Sequence, residues 1–212
     1  DGMDVESLLK AAGTALDHAK AKSEISYLFY HETMEGSGEA ELKMESELRK
    51  AIERNELRLH YQPQVDTNNG SIVCAEALLR WEHPEYGFVS PAKFIGMAEK
   101  IGLIWELGDW ALVEACRQMR LLNEQGLKLP RVAINISPQQ FKPAFVSRVK
   151  EVLDNSGISP SMLELGLSEG ILMDHDQNVL KFLEELKSIG VYLSLENFGT
   201  LHAPLNYLSR YP

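Results

Sequence analysis

Apolar residues recur every three to four positions in some stretches and every second position in others, and the changes of period divide the chain. Leu8, Leu9, Ala12, Leu16 and Ala19 fall on one face of a helix predicted over residues 4–22. Residues 25–30 are aromatic and β-branched and predict a short strand. Residues 31–39 contain Gly36-Ser37-Gly38, show no apolar period and predict a linker, after which a helix over 40–54 closes near Asn55. Two strands follow, 57–65 and 71–81. The Asn68-Asn69-Gly70 turn between them predicts an antiparallel hairpin.

Helices and strands then alternate. Helices are predicted over 91–101, with Ser90 as N-cap and Pro91 in the first turn, over 105–125 before Gly126, over 143–156 before Gly157, and over 176–188 before Gly190. Strands are predicted over 131–136, 162–167 and 191–195, and a last helix begins in 204–211. Repeated strand–helix units imply a parallel sheet with helices packed on it. A (β/α) barrel and an open doubly wound sheet both fit that pattern.

Composition narrows the function classes. Among 212 residues, 31 are acidic and 21 basic, a net charge of −10, which argues against a protein that coats a nucleic acid polymer. A small anionic ligand held by a local arginine or metal stays compatible with that balance. No stretch approaches the ~18 apolar residues of a membrane helix, so no membrane contact is expected from this chain. Nothing at the start predicts secretion, and Cys74 and Cys116 suit small core residues of a cytoplasmic protein.

In a barrel, functional side chains project from the C-terminal ends of the strands. Those ends carry Glu76-Ala77-Leu78-Leu79-Arg80-Trp81, Asn135-Ile136-Ser137, Gly166-Leu167-Ser168-Glu169 and Glu196-Asn197-Phe198-Gly199. Glutamates and an asparagine at successive strand ends are oxygen ligands suited to Mg²⁺, Mn²⁺ or Ca²⁺. A buried carboxylate and a strand-end cap explain Glu76 and Asn135 equally well on spacing alone.

From about Glu45 to Pro212 the chain resembles the EAL family, whose members bind and usually hydrolyse cyclic di-GMP. The resemblance rests on His60-Tyr61-Gln62-Pro63, Glu76-Ala77-Leu78-Leu79-Arg80-Trp81, Pro91-Ala92-Lys93-Phe94-Ile95, Glu99-Lys100-Ile101-Gly102-Leu103-Ile104, Asn135-Ile136-Ser137-Pro138-Gln139-Gln140-Phe141 and Phe198-Gly199-Thr200. It implies a TIM-like barrel with an antiparallel first strand, its C-terminal strands lying outside this chain. Residues 1–30 resemble the closing helix and strand of a GGDEF domain, leaving 31–44 as linker and start of a connecting helix and 45–212 as the EAL domain.

By resemblance, Glu76 matches the catalytic carboxylate and a metal ligand, and Asn135 a second ligand. Arg80 matches a phosphate contact, and Gln62 with the backbone around Leu78 and Leu79 matches contacts to the nucleotide. The family's glutamate on its fourth strand is replaced by Gly166, and its Asp-Asp pair on the fifth by Glu196-Asn197. Glu164 shares the parity of position 166 but lies toward the wrong end of the barrel. Weak or single-ion occupancy by Mg²⁺ or Mn²⁺ follows, since affinity for hard cations rises with ligand charge. The resemblance thus implies a degenerate EAL domain that binds cyclic di-GMP with weak or no hydrolysis. An active phosphodiesterase yielding pGpG and a nucleotide-free interaction scaffold are the alternatives. A homodimer through the EAL domain is implied, with any membrane tether supplied by modules outside this chain.

Overall fold

The computed structural model describes residues 4–21, 27, 29–30, 37–172, 177–196 and 198–199. Two compact units meet between Arg49 and Lys50. The first holds helix α1 (Val5–Ala21) and most of α2 (Ser37–Ala51). Helix α2 takes in Ser37, Gly38 and Glu39, which were expected in the linker. A polar first turn has no apolar period to reveal it. It also ends earlier than predicted: Asn55 adopts φ 53° and the Glu56 amide donates back to the Ala51 carbonyl at 2.9 Å, closing the helix. Tyr27, Phe29 and Tyr30 belong to no strand, and no strand pairs with them among the described residues. The rest of that predicted strand, residues 31–36 of the linker and the helix predicted over 204–211 lie outside the described residues.

The second unit is built on one mixed sheet. Strand β1 (Leu57–Val65) pairs antiparallel with β2 (Ile72–His83), as the Asn-Gly turn requires, with Gln62 opposite Glu76. Strands β4 (Val132–Ile136), β5 (Leu163–Ser168) and β6 (Tyr192–Glu196) then add in parallel, in the order β1-β2-β4-β5-β6. A three-residue strand, β3 (Gly87–Val89), pairs with the end of β2 and was not predicted. Its signal is weak. His83 Nδ1 accepts from the amides of Glu85 and Tyr86 at 3.1 and 3.2 Å and folds the chain back, and only Gly87, at φ 65°, marks the return.

Helices α3 (Pro91–Lys100), α4 (Ile104–Glu124), α5 (Pro143–Ser156) and α7 (Gln177–Ile189) follow the predicted spans, and Gly157 at φ 71° stops α5. A four-residue helix, α6 (Glu169–Leu172), follows β5 directly and was not predicted. Ser90 takes the N-cap position of α3, but its side chain makes no capping bond; its carbonyl receives the Lys93 and Phe94 amides instead.

The packing decides between the two architectures. Val132, Ile134, Ile136, Leu163, Leu165 and Leu167 all join one core with Leu112, Cys116 and Met119 of α4, Phe145 and Val149 of α5, and Leu183 and Leu186 of α7. Three helices thus cover the same face of the sheet, as in the wall of a barrel. A doubly wound sheet carries helices on both faces. Each fully buried leucine stabilises this layer by about 1.5–3 kcal/mol. Cys74 and Cys116 are buried free thiols, as expected. No helix among the described residues is long and apolar enough to cross a membrane.

Candidate functional site

Side chains alternate across a strand, so residues of the other parity point to the face that α4, α5 and α7 leave free. These are Glu76, Leu78 and Arg80 on β2, Ala133 and Asn135 on β4, Glu164, Gly166 and Ser168 on β5, and Ser194 and Glu196 on β6. The parallel register sets Asn135 beside Gly166, and Gly166 beside Ser194. Asn135 Nδ2 donates to Glu76 Oε1 at 3.1 Å. Asn135 and the charge of Glu76 also act on the Glu196 carboxyl. Three oxygen-bearing side chains from three strands therefore converge.

Gly166 makes the convergence possible. A Cβ at that position would lie 2.6 Å from Asn135 Oδ1 and 2.6 Å from Glu196 Oε1. The two side chains fill the room that a larger residue on β5 would take. The Glu196 carboxyl is pushed up from 4.5 to about 7, chiefly by burial, then by the Glu76 charge, with Asn135 opposing through its hydrogen bond. Between pH 4.5 and about 7 the folded chain keeps a proton that the unfolded chain has lost. In metal-free protein the contribution of Glu196 to stability is therefore expected to be full below pH 4.5, to fall as pH rises to about 7, and to be gone above it. Thermal midpoints in EDTA across this range, with Glu196→Gln as the flat control, check the sign.

The end of β4 is held from two sides. Ser137 Oγ donates to Glu99 Oε1 at 2.7 Å, which ties the strand to α3. Ser137 also caps the 3-10 turn Pro138–Gln140, and its amide donates to Gln140 Oε1 at 3.1 Å. Gln140 is buried and lies flat against Gly108 of α4, where any added Cβ would collide with its amide. The motif from Asn135 to Phe141 thus fixes where Asn135 stands. Gly108→Leu is expected to destabilise the fold by about 1–3 kcal/mol through overpacking, read from urea unfolding midpoints.

Other predicted site residues divide clearly. Gln62 is exposed and lies opposite Glu76 in the hairpin. Leu78 and Arg80 share the Glu76 face. The Leu79 side chain belongs to the opposite face, and only its carbonyl reaches back, accepting from Arg80 Nη1 at 2.9 Å. Arg80 has no carboxylate partner among the described residues, so its remaining donors are open to an anion. Glu164 is drawn away from the cluster: its carboxylate lies 3.4 Å from Arg131, whose guanidinium stacks 4.1 Å over Tyr192. Asn197 and Thr200 lie outside the described residues. Sequence reasoning passed over Glu99 and Gln140, whose only signal was membership in the motifs, and Gly108, which carried no signal. Glu169, named among the strand-end residues, is almost wholly buried just past β5.

No three His, Cys, Asp or Glu side chains cluster among the described residues. The donor set is two carboxylates and one amide over the space that Gly166 leaves open. It fits one hard cation and is short of the charge that a pair of cations needs.

Comparison with known proteins shows the family. The profile of the EAL domain matches residues 45–212. The bifunctional diguanylate cyclase/cyclic di-GMP phosphodiesterase MucR of Pseudomonas aeruginosa is 40% identical over 213 residues, covering 100% of this chain and 31% of its own length. The cyclic di-GMP phosphodiesterase NbdA of the same organism is 39% identical, covering 100% of this chain and 27% of its own length. This chain therefore spans less than a third of the curated relatives it matches. The solved PaMucR phosphodiesterase in complex with c-di-GMP superposes with a TM-score of 0.76 at 43% identity, over 80% of this chain and 69% of that one. The Xanthomonas citri FimX EAL domain in complex with c-di-GMP gives 0.70 at 26% identity, over 82% of this chain and 66% of that one. With a barrel-wall fold, a Glu-Ala-Leu motif on β2 and a family match over most of its length, the chain belongs to the EAL domain family.

Proposed function

We infer that this domain binds cyclic di-GMP at its strand ends and hydrolyses it weakly or not at all. The observation that carries this reading is the thinness of the acidic cluster: Glu76 and Glu196 flank Asn135, and position 166 contributes no side chain. Glu76, Asn135 and Glu196 would hold the cation, and Asn197 is a further candidate ligand by its sequence position alone. The cation, when bound, supplies a polarised water and offsets charge on the phosphoryl oxygens. Arg80 donates from its open guanidinium edge to a ligand phosphate. Gln62 and the Leu78–Leu79 backbone line the nucleotide side, and Asn135, pinned through Ser137 and Gln140, sets the distance between the two carboxylates.

A second reading, an active phosphodiesterase releasing pGpG, draws support from the intact Glu76 and Asn135 and from the phosphodiesterase activity for which MucR and NbdA are named. Residues 1–30 are read as the closing part of a GGDEF-type domain, since the match to the bifunctional MucR runs through them. A cytoplasmic homodimer is the proposed assembly.

Titration calorimetry with cyclic di-GMP, in EDTA and in Mg²⁺ or Mn²⁺, tests the reading, with chromatography of the products alongside. Binding without turnover supports it, and sustained pGpG release replaces it with the second. No heat up to about millimolar ligand, an affinity weaker than ~−4 kcal/mol, leaves only a scaffold. Arg80→Ala is expected to weaken cyclic di-GMP binding by roughly 10–100-fold, the worth of ~1.5–3 kcal/mol of charge-assisted hydrogen bonding.

A further inference from the structure

We propose that Gly166 and Glu196 are a compensating pair, in which the bare backbone of β5 lets the Glu196 carboxylate from β6 stand in the position a β5 side chain would fill, giving a site for one divalent cation. The inference rests on the functional reading above and adds the positioning role of Gly166, a residue without a side chain.

The geometry is specific. Gly166 sits between Asn135 and Ser194 in the parallel register, on the cluster face of the sheet. The space where its Cβ would stand is bounded by Asn135 Oδ1 and Glu196 Oε1, each at 2.6 Å, and by Glu196 Cδ at 3.0 Å. Real Cβ atoms do not come that close to neighbouring oxygens, so any side chain at 166 forces both donors to move. Gly166 has no left-handed torsion, so its use here is space and not backbone freedom. Glu196 reaches that space from the neighbouring strand because its side chain is one methylene longer than aspartate. Glu164, the other carboxylate of the same parity on β5, is committed to Arg131 and supplies no substitute. The cluster thus keeps its second carboxylate by taking it from β6, and the cost is that β5 contributes none.

The pair makes a coupled prediction. Gly166→Ala adds no charge and no ligand, yet it is expected to weaken Mn²⁺ binding by about 10–100-fold, the range typical of groups that orient metal ligands. Glu196→Asp, whose shorter side chain withdraws from the space, is expected to weaken it similarly with the fold intact. In Gly166→Ala/Glu196→Asp the losses are expected to be less than additive, because the alanine then meets no carboxylate. Calorimetry with Mn²⁺ alone on the full-length protein reads affinity and stoichiometry, and circular dichroism with thermal unfolding confirms that each variant folds. One ion per chain with non-additive losses supports the proposal. Unchanged Mn²⁺ affinity in Gly166→Ala, additive losses, two ions per chain, or no Mn²⁺ binding by the parent protein overturns it. Should Gly166→Ala fail to fold, Glu196→Asp decides alone, and unchanged affinity there sinks the pair. Cyclic di-GMP binding measured in EDTA on the same samples keeps the two ideas apart: nucleotide binding that persists while the coupling fails removes the pair and leaves the functional reading standing.

Discussion

Replacing Trp81 by alanine is expected to destabilise the domain by about 3–5 kcal/mol, a large part of the ~5–15 kcal/mol that holds a typical domain folded. Trp81 is completely buried, at 0% exposure, between the hairpin and α3. Its ring meets Phe94 edge to face at 5.9 Å and His83 at 5.5 Å. Its indole Nε1 donates to Glu56 Oε2 at 3.0 Å. Removing the ring opens a cavity and leaves the buried Glu56 carboxylate with Arg54 as its nearby cation, at 3.9 Å. Trp81→Phe separates the two effects. It keeps most of the packing and loses the hydrogen bond, for an expected ~1–3 kcal/mol. Urea unfolding of both variants checks the values, and an alanine variant within 1 kcal/mol of the parent would show that the ring is not a keystone of the hairpin.

Glu76→Gln carries the largest expected effect on ligand chemistry. Glutamine preserves the oxygen that accepts from Asn135 and removes the charge, so the local geometry survives. Cation affinity is expected to drop on the order of 100-fold, or ~2.8 kcal/mol at 1.4 kcal/mol per tenfold, because half the carboxylate charge of the cluster is gone. The same substitution removes the second-largest cause of the raised Glu196 pKa, and that carboxyl is expected to fall from about 7 toward its ordinary value. Mn²⁺ calorimetry measures the first effect. A ¹³C-detected titration of the glutamate side chains measures the second, and a Glu196 pKa that stays put would show that the Glu76 charge has no part in the shift.

How much of this was legible in the sequence depended on the kind of signal. The hairpin was plain, because an Asn-Gly turn leaves few other conformations. Helices α4, α5 and α7 were plain because each buries an apolar stripe and ends at a glycine. Strand β3 escaped because three residues cannot show a period. Barrel and open sheet could not be separated from periodicity, since both give the same alternation; only the shared packing of α4, α5 and α7 on one face separates them. At the site, Glu76 and Asn135 stood out as polar residues at strand ends. Gly166 read as a lost ligand, and its second meaning was invisible. Which neighbour moves into an emptied space is a property of three strands in register, and no single segment contains it.

The two faces of the sheet differ in one further respect. The helix-covered face carries Ile134, Ile136, Leu163, Leu165, Leu167, Leu193 and Leu195, while the opposite face of the same strands carries Glu164 and Tyr192 at one end, Glu196 at the other, and the small residues Ala133, Gly166 and Ser194 between them. Where Ala133, Gly166 and Ser194 face bulky aliphatic residues across the sheet, the wall has room to curve toward the thin side, like the staves of a cask. Ligand chemistry and curvature thereby draw on the same positions. A large residue placed at 133, 166 or 194 acts as a shim that spreads the staves, and it enlarges the distance between Glu76 and Glu196 without touching either.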